Sequence, residues 1–141
     1  MSVVFHQEFP VLLKNKKRLK YFVFDLFKKE GKSLESLNVI FCSDEYLLGI
    51  NQQHLNHNFY TDIITFDLSE SSVSPVTAEL YISIERVRDN STSLKTSFIT
   101  ELHRVVFHGA LHLCGFKDKK TADKKLMRQK EDEYLLQYFA N

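Results

Sequence analysis

Glycine and proline are scarce in this chain, with four glycines and two prolines among 141 residues. No stretch has the Pro, Gly or Ser content of a linker, so a single domain over residues 1–141 is expected. Hydrophobic residues make up 43% of the chain, which is enough to bury a core at this length. No apolar run approaches the ~20 residues that cross a bilayer, and the first residues lack the zones of a signal peptide. We therefore expect a cytoplasmic protein without membrane contact.

Cysteine is equally sparse. Cys42 and Cys114 are far apart in the sequence and form no C-x-x-C pair. Isolated cysteines in a cytosolic chain are usually reduced and behave as small buried hydrophobes. Cys114 follows His112 closely, and packing is favoured there over a role as a thiolate ligand.

Two histidines stand four residues apart, at His108 and His112, and are followed by Gly115 and Asp118. Residues at this spacing on an α-helix share one face, about 5 to 6 Å apart, and their imidazole nitrogens can share a metal ion. Gly115 suits a left-handed helix terminus, which turns the chain back so that Asp118 supplies a third ligand. Three protein ligands and an open position are typical of catalytic zinc. One Zn²⁺ per chain is therefore the first expectation.

The residues around this motif limit its interpretation. A zinc peptidase of the H-E-x-x-H type needs glutamate directly after its first histidine, and this chain has Gly109 there, which disfavours that class. Glycine inside a helix costs about 1 kcal/mol relative to alanine, so Gly109 indicates that substrate or a packed strand approaches the backbone. The carboxylate of Asp118 also admits Mn²⁺ or Mg²⁺, which are less favoured. The alternative for the two histidines is an ordinary pair on a partly buried helix face.

The same segment resembles the signature of the YbeY family of endoribonucleases, which act in ribosomal RNA maturation and small-subunit quality control. The matching residues are His108, Gly109, Leu111, His112, Leu113, Gly115 and Phe116. Three other segments resemble family motifs in the same order, namely Ser43 to Asn51, Thr61 to Phe66 and Ala78 to Ser83. Two positions depart from the pattern. Lys117 and Asp118 stand where the family has aspartate and a third histidine, and Leu55 stands where it has an arginine.

The resemblance implies a metal-dependent hydrolase that cleaves single-stranded RNA, with rRNA and the small ribosomal subunit as partners and the 16S rRNA 3′ end as the processing site. Zinc held by His108, His112 and Asp118 would lower the pKa of a bound water to about 7 and polarise a phosphoryl oxygen. Glu79 and Asp62 fall in family-like motifs and are the candidate proton acceptors, with strand-end hydrogen bonding and helix capping as their alternative roles. Activation of the RNA 2′-hydroxyl is a second route, and it would leave a cyclic phosphate.

The net charge of +1 hides a segregation of charge. Residues 1–32 carry eight Lys and Arg against three acids, residues 33–94 carry two against nine, and residues 95–141 carry nine against six. Solvated helix faces are the ordinary explanation of such runs, but cations beside a hydrolytic site attract polyanions. Because no base-reading motif is visible, we expect recognition of RNA shape and backbone charge, without DNA specificity. The candidate substrate-binding residues are Lys117, Lys119, Lys120, His54 and His57.

Hydrophobic periodicity predicts an alternating series of elements. Strands are predicted at residues 3–7, 37–42, 62–68 and 78–83, the last two as a hairpin-like pair. Helices are predicted at residues 10–30, 44–54, 84–89, 94–113 and 122–139. This mixture predicts an α+β fold. The family resemblance suggests a mixed four-stranded sheet, with the metal site at the C-terminal end of a central helix.

Two other functions compete with the endoribonuclease. One is a non-catalytic RNA-binding factor of ribosome assembly with a structural metal, which the missing arginine at Leu55 favours. The other is a metal-dependent hydrolase of a small molecule or peptide, which would need a narrow, apolar cleft.

Overall fold

A four-stranded mixed sheet forms the centre of the molecule in the computed structural model, which describes residues 2–140. The strands are β1 (Ser2–Gln7), β2 (Leu34–Cys42), β3 (Ile63–Asp67) and β4 (Val76–Ser83), in the order β1-β2-β4-β3. The first, second and fourth are parallel, whereas β3 runs antiparallel to β4. The helices of the described chain are α1 (Lys16–Lys29), α2 (Asp44–Leu55), α3 (Ile84–Leu94), α4 (Phe98–Leu113) and α5 (Thr121–Phe139). The predicted α+β fold with a mixed sheet is confirmed.

Alternation along the strands assigns each face of the sheet to different helices. On β4, Ala78, Leu80 and Ile82 are buried in the main core, on the face that α1 and α4 cover. On the opposite face, Leu47 of α2 packs with Ile64 and Cys42 in a smaller cluster. The even-numbered positions of β4 therefore face α4, and the odd-numbered positions face away from it.

The central helix, α4, is buried along most of its length because the sheet, α1, α3 and α5 all pack against it. From Val105 to Leu113, only His108 and His112 are not buried. The hydrophobic residues between them fill the core, and the two histidines face away from it together. The helical spacing predicted from the sequence thus places both imidazoles on one accessible stripe.

The first predicted helix begins later than its sequence pattern indicates. We expected a start at Pro10, but α1 begins at Lys16 after Asn15 in the left-handed region, with φ of 56°. The N–H of Phe9 donates to the carbonyl of Phe41 at 3.0 Å, and Leu13 is 6% exposed. Contact with the sheet and burial in the core keep this segment out of the helix, and both are tertiary interactions that local pattern does not reveal.

The boundary between α3 and α4 also differs from the prediction. A helix from Leu94 to Leu113 was expected, but α3 continues to Leu94 and α4 starts at Phe98. Lys95 ends α3 in the left-handed region, with φ of 56°. Ser97 then caps α4, since its hydroxyl accepts the N–H of Thr100 at 3.1 Å. The sequence pattern predicted a helix that starts at Leu94 because this residue continues the three- to four-residue spacing of the apolar residues of α4.

The last helix, α5, is amphipathic in an unusual way. Its buried residues are Met127, Glu131, Tyr134, Leu135 and Tyr138. A glutamate therefore lies within the buried stripe that packs on α4.

Within residues 2–140, no helix has both the length and the apolar character that crossing a bilayer requires.

Alanine at Gly49 and at Gly109 should change stability in opposite directions, although both glycines lie inside helices. Outside its own helix, no atom lies within 4 Å of a Cβ built at Gly49, so Gly49→Ala should stabilise by up to about 1 kcal/mol. A Cβ at Gly109 would lie 2.8 Å from Cδ1 of both Ile63 and Leu80, and because Leu80 is fully buried, overpacking of about 1 to 3 kcal/mol should outweigh the same ~1 kcal/mol gain. Urea unfolding of both variants checks this. If Gly109→Ala is stabilising instead, the side chains of Ile63 and Leu80 must move aside at little cost. A packed strand thus accounts for the close approach expected at this glycine.

The stability of the fold should decrease at acid pH because of His103, which is 4% exposed and packs on Tyr138. Burial lowers the pKa of His103 below its ordinary value of 6.5, although its hydrogen bond to the carbonyl of Ile99 opposes this. The unfolded chain then binds a proton that the folded chain does not, so stability falls below pH ~6.5 by up to about 1.4 kcal/mol per pH unit. His103→Gln should lose less stability between pH 7 and pH 5 in urea unfolding. An identical pH dependence in both proteins would refute this assignment.

Candidate active site

A cleft of about 640 Å³ runs along α4 from Glu101 to His112. Its other walls come from α2, α3, α5, β3 with the loop that leads into it, and the connection between α4 and α5. Its polar lining residues include Asn51, His57, Thr61, Asp62, Glu101, Arg104, His108, His112, Asp118, Lys119, Arg128 and Glu131. The structure therefore brings the three predicted metal ligands to one cavity. The lining is rich in charged groups, unlike the narrow apolar cleft that a small-molecule hydrolase would need.

His108 lies between two carboxylates. Its Nδ1 donates to Oε2 of Glu131 at 2.7 Å, and its Nε2 faces Oδ2 of Asp118 at 3.2 Å. Ligand atoms at 2.0 to 2.1 Å from a tetrahedral ion lie about 3.3 Å from one another. The separation of Nε2 and Oδ2 therefore matches that of two ligands to one ion.

Gly115 adopts the left-handed conformation that its place in the sequence predicted, with φ of 106°. The reversal brings the carbonyl of Phe116 to Nδ1 of His112 at 3.1 Å, and it brings Asp118 to His108. Because Nδ1 of His112 donates to a carbonyl, its Nε2 keeps a free lone pair, as in a metal-binding tautomer.

The donor types suit zinc, since two imidazoles and a carboxylate form a known ligand set. Both imidazoles also have their Nδ1 atoms occupied by oxygen acceptors, as ligating histidines usually do. Within residues 2–140, no three His, Cys, Asp or Glu side chains are already gathered in a metal-binding group. His108 and Asp118 stand at ligand spacing, and His112 lies one turn further along the same helix. The donor types therefore fit a three-ligand site, and two of the three ligands, His108 and Asp118, already lie at ligand spacing.

Neither cysteine has the character of a ligand. Burial raises the pKa of Cys114 to about 12, and burial also raises the pKa of Cys42 to about 12. Cys114 packs against the main core and Cys42 belongs to the smaller cluster. Both are protonated thiols at neutral pH that serve as packing residues.

Asp62, one of the two candidate proton acceptors, lines the cleft. Its backbone carbonyl accepts the N–H of Ser83 at 2.9 Å, which fixes it at the start of β3. Burial raises the pKa of Asp62, although the charge of His108 and hydrogen bonds from backbone N–H groups oppose this rise. For His108, burial lowers the pKa, but the hydrogen bond and charge of Glu131 and the charge of Asp118 outweigh it, so the net change is upward. Asp62 is therefore electrostatically coupled to the candidate ligand His108.

Glu79, the other candidate, lies away from the cleft. It occupies an odd-numbered position of β4, on the opposite face of the sheet from Leu80 and α4. Its Oε1 accepts a hydrogen bond from the hydroxyl of Tyr81 at 3.2 Å, and it lines grooves on that outer face. The structure does not bring Glu79 together with His108.

The candidate substrate-binding residues are divided in the same way. His57 and Lys119 line the cleft, whereas Lys117 and Lys120 are exposed beside it. His54 packs edge-on against Phe66 and lines a groove on the other face. Only part of the predicted basic set therefore lines the cleft.

Sequence reasoning gave no role to Arg104 or Glu131, which line the cleft together with Arg128. Leu55 lines the cleft where the family pattern has an arginine, and two other arginines line the same cavity. Arg104 is tied to three carboxylates. The side chain of Arg128 is 54% exposed and lies 4.0 Å from Glu131, so its guanidinium is more available. The signal for Glu131 was its position among the apolar residues of α5, where a charged side chain needs a specific partner.

Together, the fold and the cleft define an α+β protein whose central helix presents two histidines to a charged cleft. The model of the family described as Endoribonuclease YbeY matches residues 7–139 of this chain. An Endoribonuclease YbeY of Flavobacterium psychrophilum is 55% identical over 106 residues, covering 75% of this chain and 74% of that protein. One from Cytophaga hutchinsonii is 45% identical over 131 residues, covering 93% and 91%.

A solved structure shows the same fold. The solution structure of a Thermotoga maritima protein superposes with a TM-score of 0.67 and 28% identity, covering 99% of this chain and 90% of that one. The chain belongs to the YbeY endoribonuclease family.

Proposed function

We propose that this protein is an endoribonuclease that cleaves single-stranded RNA in rRNA maturation. The observation that supports this best is the pairing of His108 Nε2 with Asp118 Oδ2 at 3.2 Å, inside a cleft that Arg128 and Lys119 also line. Relatives that carry the name Endoribonuclease YbeY share most of the chain. A metal-binding site beside cationic side chains suits a phosphodiester substrate better than a neutral small molecule, because the cations attract its phosphates.

His108, His112 and Asp118 would hold one Zn²⁺, with Mn²⁺ or Mg²⁺ less favoured because of the two imidazoles. When bound, zinc supplies Lewis-acid polarisation of a phosphoryl oxygen and a lowered pKa for a coordinated water. Hydrogen bonds from both Nδ1 atoms hold the rings so that Nε2 is the nitrogen that would ligate the ion. Asp118 is carried to the site by the turn at Gly115.

Asp62 is the proposed proton acceptor. Its raised pKa brings the carboxyl closer to neutral pH than an ordinary aspartate, and a base is most effective when its pKa lies near the operating pH. It would take the proton of the attacking oxygen, either of water or of the RNA 2′-hydroxyl. Glu79 has no part in this step because it lies on the other face of the sheet.

Arg128, Lys119 and His57 would bind the substrate backbone. Arg128 would supply a cation that this chain lacks at Leu55, since both positions line the cleft. Lys117 and Lys120 would extend the cationic surface outside it. Contacts of this kind recognise phosphate and shape and not base sequence, so rRNA of the small subunit would be selected by structure and by assembly partners.

Cleavage of a single-stranded RNA oligonucleotide by zinc-loaded protein tests the proposal, with the same RNA in duplex form as the control. We expect cleavage of the single strand only, and loss of cleavage on chelation. A 2′,3′-cyclic phosphate end would identify the 2′-hydroxyl as the nucleophile. If the protein binds RNA without cutting it, before and after zinc is added, the assembly-factor function would be correct instead. If it hydrolyses esters or peptides and RNA does not compete, the substrate is of another class.

A further inference from the structure

Glu131 is a charged side chain at a position that the packing of α5 buries. The residue is 5% exposed and lies within the buried stripe between Met127 and Tyr134. Burying a carboxylate is unfavourable unless it is paired and hydrogen-bonded. Every buried side-chain nitrogen or oxygen of residues 2–140 has a hydrogen-bond partner. The partners of Glu131 therefore indicate why a carboxylate is present there.

The two oxygens of Glu131 have different partners. Oε2 accepts a short hydrogen bond of 2.7 Å from Nδ1 of His108. Oε1 accepts from Nη1 of Arg104 at 3.4 Å. Arg104 has closer carboxylates, since it lies 2.7 Å from Asp132 and 3.2 Å from Glu101. The strongest interaction of Glu131 is therefore with the imidazole, and Arg104 keeps other partners without it.

We infer that Glu131 is a positioning residue that fixes the ring of His108 for metal binding, an inference that rests on the proposed metal-dependent function. A carboxylate has no proton to give, so Nδ1 carries the hydrogen of this bond, and Nε2 is the nitrogen left for a metal ion. The ring is held with Nε2 towards Asp118, 3.2 Å away, where an ion would replace the proton shared between Nε2 and that carboxylate. Carboxylate, histidine and metal in this order are a common arrangement in zinc proteins.

The charges around Arg104 support the same role. One guanidinium faces the carboxylates of Glu101, Glu131 and Asp132, and Arg128, which lies 4.0 Å from Glu131, is half-exposed. The cluster therefore has an excess of negative charge directly behind His108. A dication on the other side of the imidazole offsets that excess.

The test is the zinc affinity of Glu131→Gln compared with Glu101→Gln, measured with zinc alone in competition with a chromogenic chelator. Both variants replace a buried carboxylate that contacts Arg104, but only Glu131 contacts His108. Loss of an outer partner of a metal ligand typically weakens metal binding about 10- to 100-fold. We expect that loss for Glu131→Gln and a change of less than about twofold for Glu101→Gln, by the same principle. Thermal unfolding of the metal-free proteins gives the structural effect of each change separately.

Equal zinc affinities for the two variants would overturn the inference, because both would then act only through Arg104. If Glu131→Gln does not fold, Glu131→Asp replaces it. That variant keeps the charge but shortens the reach to His108, and it should also bind zinc more weakly than Glu101→Asp. If the native protein binds no zinc, the proposed function itself is wrong. Zinc binding by the native protein with unchanged affinity in Glu131→Asp refutes the role of Glu131 alone.

Discussion

Replacing Asp118 by alanine should abolish stoichiometric zinc binding and reduce RNA cleavage by about a thousandfold, or ~4 kcal/mol of transition-state stabilisation. The reason is geometric. Oδ2 of Asp118 is at ligand spacing from Nε2 of His108, and two histidines alone leave a zinc site short of the three protein ligands that catalytic sites have. Elemental analysis of untagged protein and single-turnover cleavage of the same RNA provide the two readouts.

Asp123→Ala is the matched control for Asp118→Ala. Asp123 lies in the first turn of α5, shortly after the candidate ligand, and it does not line the cleft. The two variants remove the same charge from neighbouring parts of the chain. Cleavage that falls equally in both would mean that charge near the cleft matters and ligation by Asp118 does not. Full zinc occupancy in Asp118→Ala would remove this residue from the site.

Arg104→Ala should lower the free energy of unfolding by about 3 to 5 kcal/mol, the usual consequence of removing one partner from a buried ion pair. The side chains of Arg104, Glu101 and Glu131 are 12%, 5% and 7% exposed. Without the guanidinium, buried Glu101 would lose its ion-pair partner, and Glu131 would keep His108 and the half-exposed Arg128. Such a loss is a large part of the 5 to 15 kcal/mol that typically separates folded from unfolded domains, and urea unfolding measures it.

Arg86→Ala provides the comparison. Arg86 also forms a close ion pair, at 2.6 Å from Asp44, but its side chain is 31% exposed. Pairs that water reaches contribute about 1 kcal/mol or less. We therefore expect the loss in Arg104→Ala to be several times larger. Similar losses in the two variants would show that the cluster around Arg104 is more hydrated than its burial indicates.

The sequence predicted the parts of this site that depend on local geometry. The spacing of His108 and His112 places both on one face of a helix, and Gly115 takes the positive φ that only glycine adopts easily. The fold class followed from the alternation of elements and from the family resemblance. The helix face and the turn at Gly115 depend on residues within a few positions of one another, and the fold class depends only on the order of the elements.

The features that were missed depend on contacts between distant parts of the chain. The alternation of side chains along a strand puts Glu79 and Leu80 on opposite faces of the sheet. The local sequence does not show which of these faces α4 covers. The hydrogen bond between His108 and Glu131 joins residues on different helices. The late start of α1 depends on the burial of Leu13. In each case the missing information was the packing of one element against another.

The donors of the cleft come from two helices, with His108 and His112 on α4 and Glu131 on α5, and Asp118 lies on the short connection between them. An ion held by this set binds more tightly while α5 is docked, because only then does Glu131 support His108. Its binding energy therefore opposes local opening of the C-terminal segment, by up to about 2.7 kcal/mol at a hundredfold excess of free ion over Kd. Amide hydrogens of α5 would then exchange with solvent more slowly, by up to roughly a hundredfold, because exchange follows the free energy of opening. Occupancy of the site would in this way determine how long the end of the chain survives proteolysis, apart from any reaction that the site performs.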